Sequence, residues 1–347
     1  MSSRNRLSLN ERIFLISVSI FSVFTFLGLS YWYLIQCRGD WSGEPLEKKR
    51  SEDLGNIKND LTSDLSYIQA LGPRNSTDDK SYAQLRKCEA WIKQRWESQG
   101  YSVKRHSFSA DGREYSNLEI EIQGRSAPSE IIIVSAQYDT LPDSPGANNN
   151  GSGMAILFAL SHLLRNHTPD RTIRLIEFVN EEDPFFGTEK MGSYQYAKRS
   201  SERQENIRVM LSLDALGIYR NEPGSQRLPF PFSLFYPDRG NFLAFIGDFS
   251  ARGYMLEATR GFKKGSSFPI EAGVVPKWVE GAGWSDHQSF WKFGYPGIMV
   301  TDTGGFRAPS HTTREDTMEK LNFEAMSRIT LGMYCAIIDL SHKGNEK

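Results

Sequence analysis

From Ile13 to Ile35 the chain carries no charged residue (IFLISVSIFSVFTFLGLSYWYLI). A run of about 20 apolar residues is what a helix needs to cross ~30 Å of hydrocarbon. Tyr31, Trp32 and Tyr33 cluster at one end, as an interfacial belt does. The run is longer than the core of a cleaved signal peptide, and no A-x-A-like site follows it. The pattern predicts a tail over 1–12, a transmembrane anchor over 13–35 and a polar linker over 36–53 (QCRGDWSGEPLEKKRSED).

From residue 54 the pattern changes to alternating helical and strand-like periods. Leu61, Leu65, Ile68 and Leu71 follow helical spacing, and 83–98 reads as a second helix. Residues 116–122 alternate like a half-buried strand. Residues 130–136 (EIIIVSA) are almost continuously apolar, the mark of a strand buried on both faces. A helix over 153–165, a strand over 172–179, a helix over 189–200 and a strand over 208–213 follow. A strand over 297–301 and a closing helix with Met326, Ile329, Met333, Ile337 and Leu340 on one face complete the series. Strands alternating with helices of this length predict an α/β fold, a three-layer sandwich around a mostly parallel mixed sheet. The domain spans 54–342, with a tail over 343–347. In such sheets ligands gather beyond the carboxyl ends of the strands.

Composition narrows the picture only a little. The 347 residues suit one large domain plus an appendage. With 41 basic and 42 acidic residues, no global field speaks for nucleic acid as a partner. Arg4, Arg6 and Arg12 before the apolar run lean toward the N-terminus inside and the main domain outside, and sequons at Asn75 and Asn166 agree with that lean. Cys37, Cys88 and Cys335 form neither a disulfide framework nor a thiolate metal motif.

The strand ends carry the candidate chemistry. Strand 130–136 runs into Gln137-Tyr138-Asp139 and then the loop SPGANNNGSG. Strand 172–179 is followed by Asn180-Glu181-Glu182-Asp183, strand 208–213 by Asp214, and strand 297–301 by a loop reaching His311. Trp284-Ser285-Asp286-His287 lies between. Each alone reads as a turn or cap; carboxylates and a histidine at several ends of one parallel sheet converge over its edge.

These segments, SAQYDTLPDSPGANNNGSGMA, FVNEEDPFFGTEKMGSYQYA, LSLDALG, WSDHQSFWKFGYPGIMVTDT and SHTTREDTMEKL, resemble in order and spacing the dinuclear-zinc aminopeptidases, whose relatives include glutaminyl cyclases and transferrin-receptor-like proteins. The resemblance covers residues 60–340. It implies that Glu181 matches the general base, and that Glu182, Asp214 and His311 match metal ligands. Asp139 matches the aspartate that orients a ligand histidine, with Asp286 and His287 around the site. Two ligand positions depart from the family: Gln137 stands where a histidine binds one zinc, and Asn149 where an aspartate bridges both.

The departures have physical weight. Two cations ~3.5–4 Å apart depend on a shared anionic ligand to offset their repulsion, and an asparagine supplies only a neutral oxygen. An amide is also a poor substitute for imidazole. The expectation is a zinc site that binds weakly or not at all, and an acidic pocket that welcomes a peptide or another amine-bearing ligand. The first reading is a membrane-anchored aminopeptidase-like protein with impaired or lost catalysis. The alternative is an active metal-dependent aminopeptidase with a reduced, single-zinc site. The aromatic segment 228–245 reads first as core, second as pocket wall or interface.

Overall fold

The computed structural model describes residues 8–343 apart from Gln36 and Pro231. The predicted tails therefore lie largely outside the described residues, as do the side chains of Tyr31 and Trp32. Helix α1 (Leu9–Ile35) opens the chain, and its stretch Leu9–Ser30 is long and apolar enough to cross a membrane. Then follow α2 (Leu46–Lys49), α3 (Ser51–Leu71), α4 (Asp79–Ser98), β1 (Lys104–Ala110), β2 (Arg113–Ile122), β3 (Ala127–Gln137) and α5 (Gly153–Leu164). Next are β4 (Arg171–Phe178), α6 (Gly192–Glu202), β5 (Asn206–Asp214), β6 (Leu243–Gly247), α7 (Arg252–Gly265) and β7 (Ile270–Val274). The series ends with α8 (His287–Lys292), β8 (Gly297–Thr301) and α9 (Phe323–Ser341).

One mixed sheet holds all eight described strands in the order β1-β2-β4-β3-β5-β8-β6-β7. Its centre, β4, β3, β5 and β8, is parallel, while β1–β2, β2–β4 and β8–β6 are antiparallel. Strand β3 shows why its sequence is apolar throughout. Ile131 and Ile133 join Ile176, Tyr196 and Phe290 in a cluster under α6 and α8. Ile132 and Val134, on the opposite pleat, join the larger cluster beneath α3, α5, α7 and α9. Helices on both faces make the expected three layers. Asp78 caps α4 and Asn322 caps α9 through their side-chain oxygens.

Strands β1, β6 and β7 and helix α7 go beyond the pattern read from the sequence. The α6 helix begins at Gly192 rather than 189, because the Glu181–Met191 stretch is taken up in turns. Residues 37–50 do not hang free as a linker. Gly39 N–H donates to Thr259 Oγ1 at 2.8 Å, and a Cβ on Gly39 would meet Leu256 O at 2.2 Å. Buried Glu47 accepts hydrogen bonds from Ser266, Ser267 and Arg328, and α3 already starts at Ser51. A charge that reads as solvated in sequence has found an arginine and two hydroxyls. Asn75 is also buried, its Oδ1 accepting from Thr77 N–H in a local turn, so that sequon carries no argument about orientation.

Candidate active site at the carboxyl edge of the sheet

The central strands end side by side, and their last residues turn sharply. Asn180, Ala215 and Thr303, just past β4, β5 and β8, all have positive φ (62°, 54° and 79°). Such backbone is unfavourable for residues other than glycine and concentrates at functional edges. Between β3 and α5, the loop 138–152 is held from beneath by Arg74, whose buried guanidinium donates to the carbonyls of Tyr138, Ile68 and Pro145 at 3.0, 3.2 and 2.9 Å.

Asp139 does not face an imidazole. Its two oxygens accept the backbone N–H groups of Glu181 and Glu182 at 3.2 and 3.0 Å, fixing the turn that carries both glutamates. Burial raises its pKa to about 6, against the lowering effect of those two N–H groups. Asp316 does the same for the asparagine loop, accepting Asn148 and Asn149 N–H at 2.9 Å each. Asp302 accepts Asn148 Nδ2, Ile218 N–H and Gly304 N–H at 3.0, 2.9 and 2.8 Å. Asp302, Asp316 and Arg74 are the residues that sequence reasoning passed over. For Asp302 and Asp316 the only signal was their place inside the quoted motifs, and for Arg74, well before the first of them, there was none.

Asn149, Glu181, Glu182, Asp214 and His311 line one cavity of about 320 Å³. The amides are turned toward the carboxylates. Gln137 Nε2 donates to Glu181 Oε2 at 3.3 Å and Asn149 Nδ2 to Glu182 Oε1 at 2.5 Å. Gln137 Oε1 is itself taken by Asn150 Nδ2. Asn150 also donates to Leu213 O at 2.8 Å, and its Oδ1 accepts Ala215 and Gly153 N–H. His311 donates from Nδ1 to Ala308 O at 3.0 Å, and burial lowers the pKa of the ring below its ordinary value.

This donor set does not match a pair of zinc ions. Gln137 presents its N–H face to Glu181 and has its oxygen engaged by Asn150, so neither end of that amide is turned to a cation. Asn149 likewise aims N–H, not oxygen, at Glu182. What results is a floor of carboxylates with neutral donors between them. Burial, followed by mutual repulsion, raises the pKa of Glu181 and Glu182, and Asp214 is pushed up to about 7, again chiefly by burial.

Asp286 lies beneath this floor, fully buried, with neither oxygen hydrogen-bonded. Its charge raises Glu181 and the equally orphaned Glu177 on β4. His287 points elsewhere: Nε2 bonds Ala282 O at 2.8 Å and the ring packs edge-on to Trp291 at 4.4 Å. Successive residues at a helix start project about 100° apart, so the two neighbours cannot both face the site. The cavity is also lined by Leu228, Phe232, Tyr236, Phe242 and Phe245, so the aromatic segment read first as core is both: Leu243 and Phe245 belong to the core, and its earlier part forms pocket wall.

A zinc-peptidase-type α/β sandwich with its polar cluster at the sheet's carboxyl edge is the class these features define. The model of peptidase family M28 matches residues 117–336, and the chain belongs to that family. Escherichia coli K12 has an uncharacterized relative, YfbL, 29% identical over 283 residues, covering 79% of this chain and 85% of that protein. BSAP, a zinc aminopeptidase from Bacillus subtilis, superposes with a TM-score of 0.63 at 16% identity, over 83% of this chain and 96% of that one. The glutaminyl cyclase of Fimbriiglobus ruber gives 0.58 at 18% identity, over 86% and 97%. These structural likenesses speak for the fold.

Proposed function

We propose that this chain is a membrane-anchored member of the M28 family whose pocket binds the amine of a peptide or similar ligand, with hydrolysis impaired or lost. One observation carries the reading: the amides of Gln137 and Asn149, at two positions where the resemblance calls for zinc ligands, donate into Glu181 and Glu182. Buried carboxylates in an apolar-walled cavity favour a cation that brings its own hydrogen-bond donors, and an ammonium brings three. Glu181, Glu182 and Asp214 receive the amine. The apolar wall takes the group attached to it. Helix α1 is the anchor, with the main domain on the non-cytoplasmic side.

The test is the zinc content of the full chain, purified in detergent and dialysed against a weak chelator. Near-zero metal supports the reading. One or two ions per chain sink it.

A second reading, an active aminopeptidase with a single-zinc site, is favoured by the convergence of Glu182, Asp214 and His311 on one cavity. It predicts one zinc per chain and measurable hydrolysis of an aminoacyl anilide.

A further inference from the structure

Next to segments that line the cavity, large apolar side chains stand mostly exposed among the described residues. Phe230 is 81% exposed, Leu234 67%, Phe249 61% and Trp278 85%. They come from separate segments: Phe230 and Leu234 from the stretch before β6, Phe249 from just after β6, and Trp278 from just after the edge strand β7. Tyr236 packs its hydroxyl over Gly273, where a Cβ would lie 2.4 Å from it, and so lays the 228–236 segment across that strand. Trp278 follows β7 directly, and Lys277 pairs with Asp248 at 3.2 Å, tying that loop to Phe249.

Helix α1 arrives at the same place. Arg252 Nε donates to Tyr33 O at 3.2 Å, and its guanidinium lies 3.7 Å from the centre of the Tyr33 ring. Arg38 reaches Glu271, a cavity-lining residue of β7, at 3.3 Å. Cys37 and Gly39 are already buried against the domain. Both Tyr33 and residues 37–39 thus meet the domain. With α1 in a bilayer, β7 and its cavity-lining Glu271 would lie near the membrane surface. Phe and Trp side chains uncovered in water are stabilised when they enter the interfacial zone.

We propose that segments 228–236 and 275–284 form a membrane-contact rim, and that the cavity takes an amphiphilic amine directly from the lipid interface. The head would sit on Glu181, Glu182 and Asp214, and the hydrocarbon chain would run along Phe232, Phe242 and Phe245. The ligand half rests on the amine-binding reading above; the rim half stands on the position of α1 and the exposed side chains.

The experiment uses the full chain in lipid nanodiscs. Nitroxide labels are placed at Leu234→Cys and Trp278→Cys, with Asp79→Cys on the opposite edge as control, and the label signal of the unsubstituted chain is subtracted. Oxygen access with exclusion of a nickel chelate at 234 and 278, and the reverse at 79, is the expected result. Chelate access at 234 and 278, or shielding from both reagents by a covering protein chain, overturns the rim. In the second arm, dodecylamine added to the discs raises the thermal midpoint by several degrees, while dodecanol and water-borne butylamine do not. An equal rise with butylamine overturns the membrane source but leaves the amine reading intact. No rise with either amine overturns the amine reading, and the labels still decide the rim.

Discussion

At the acidic end of the cavity, Asn150 alone makes four hydrogen bonds, to Gln137, Leu213, Gly153 and Ala215. At the apolar end, Phe230 and Leu234 on the flanking segment stand mostly in solvent. The first end is over-determined: Asn150, Asp139 and Asp316 each hold more than one amide or backbone N–H. The second relies on shape and apolar contact. A buried polar network admits one arrangement, because leaving any member unpaired costs about 1–3 kcal/mol. An apolar wall on exposed loops tolerates several arrangements at little cost. The cavity thus combines a fixed head-group site with an adaptable flank.

The contrast can be broken most forcefully by restoring ligand chemistry. The double substitution Gln137→His with Asn149→Asp, assayed with added zinc on leucine p-nitroanilide, is expected to raise hydrolysis by at least about 100-fold, the scale at which groups around a metal matter. No gain would mean that the acidic end has diverged beyond those two positions. Next in size is Asn150→Ala. Losing a hub with four buried partners should cost about 3 kcal/mol or more, read as a lower urea midpoint with unchanged slope.

Glu177→Gln probes a place where the polar end leaves buried atoms unpaired. Both Glu177 oxygens are buried without partners, and burial, then Asp286, raises its pKa. A raised folded pKa means stability fully present below the unfolded value of about 4.3 and lost as pH rises above it. Glutamine should therefore raise the unfolding free energy at pH 7 by about 1–2 kcal/mol, with the gain vanishing below pH ~4. A gain independent of pH would point to packing instead. The smallest effect is expected at Leu234→Ser, within about 0.5 kcal/mol of the parent in chemical denaturation. A larger loss there would show the apolar end to be as constrained as the acidic one.

The central strands were legible because both their faces are buried, so apolar runs such as 130–136 end where the chemistry begins. The edge elements were not. Strand β1 alternates, but with only Phe108 and Ala110 as apolar residues on its more buried face, and β6 and β7 have five residues each. Helix α7 was hidden by its own glycines, which its packing requires: a Cβ on Gly265 would meet Leu331 O at 2.1 Å, and one on Gly261 the Ala336 Cα at 2.8 Å. Glycine depresses helix propensity in any sequence reading, while here it lets α7 and α9 approach closely. The candidate site residues gather largely as their order along the strands implied. His287 turned away because adjacent residues on a helix diverge. The supporting aspartates, Asp302 and Asp316, act on backbone N–H groups far off in sequence, and no spacing rule encodes that.

The seating of α1 on β7 has a consequence for the sheet itself. β7 is an outermost strand, bonded only to β6 within the sheet, and an uncovered outer strand is a template on which other chains add. The segment leaving α1 lies against that flank, with Arg38 on Glu271. The same helix that would fix the protein in a bilayer therefore also shields the sheet from intermolecular strand addition. A chain clipped behind residue 40 would lose both services together, gaining freedom from the membrane and a sticky edge in the same cut.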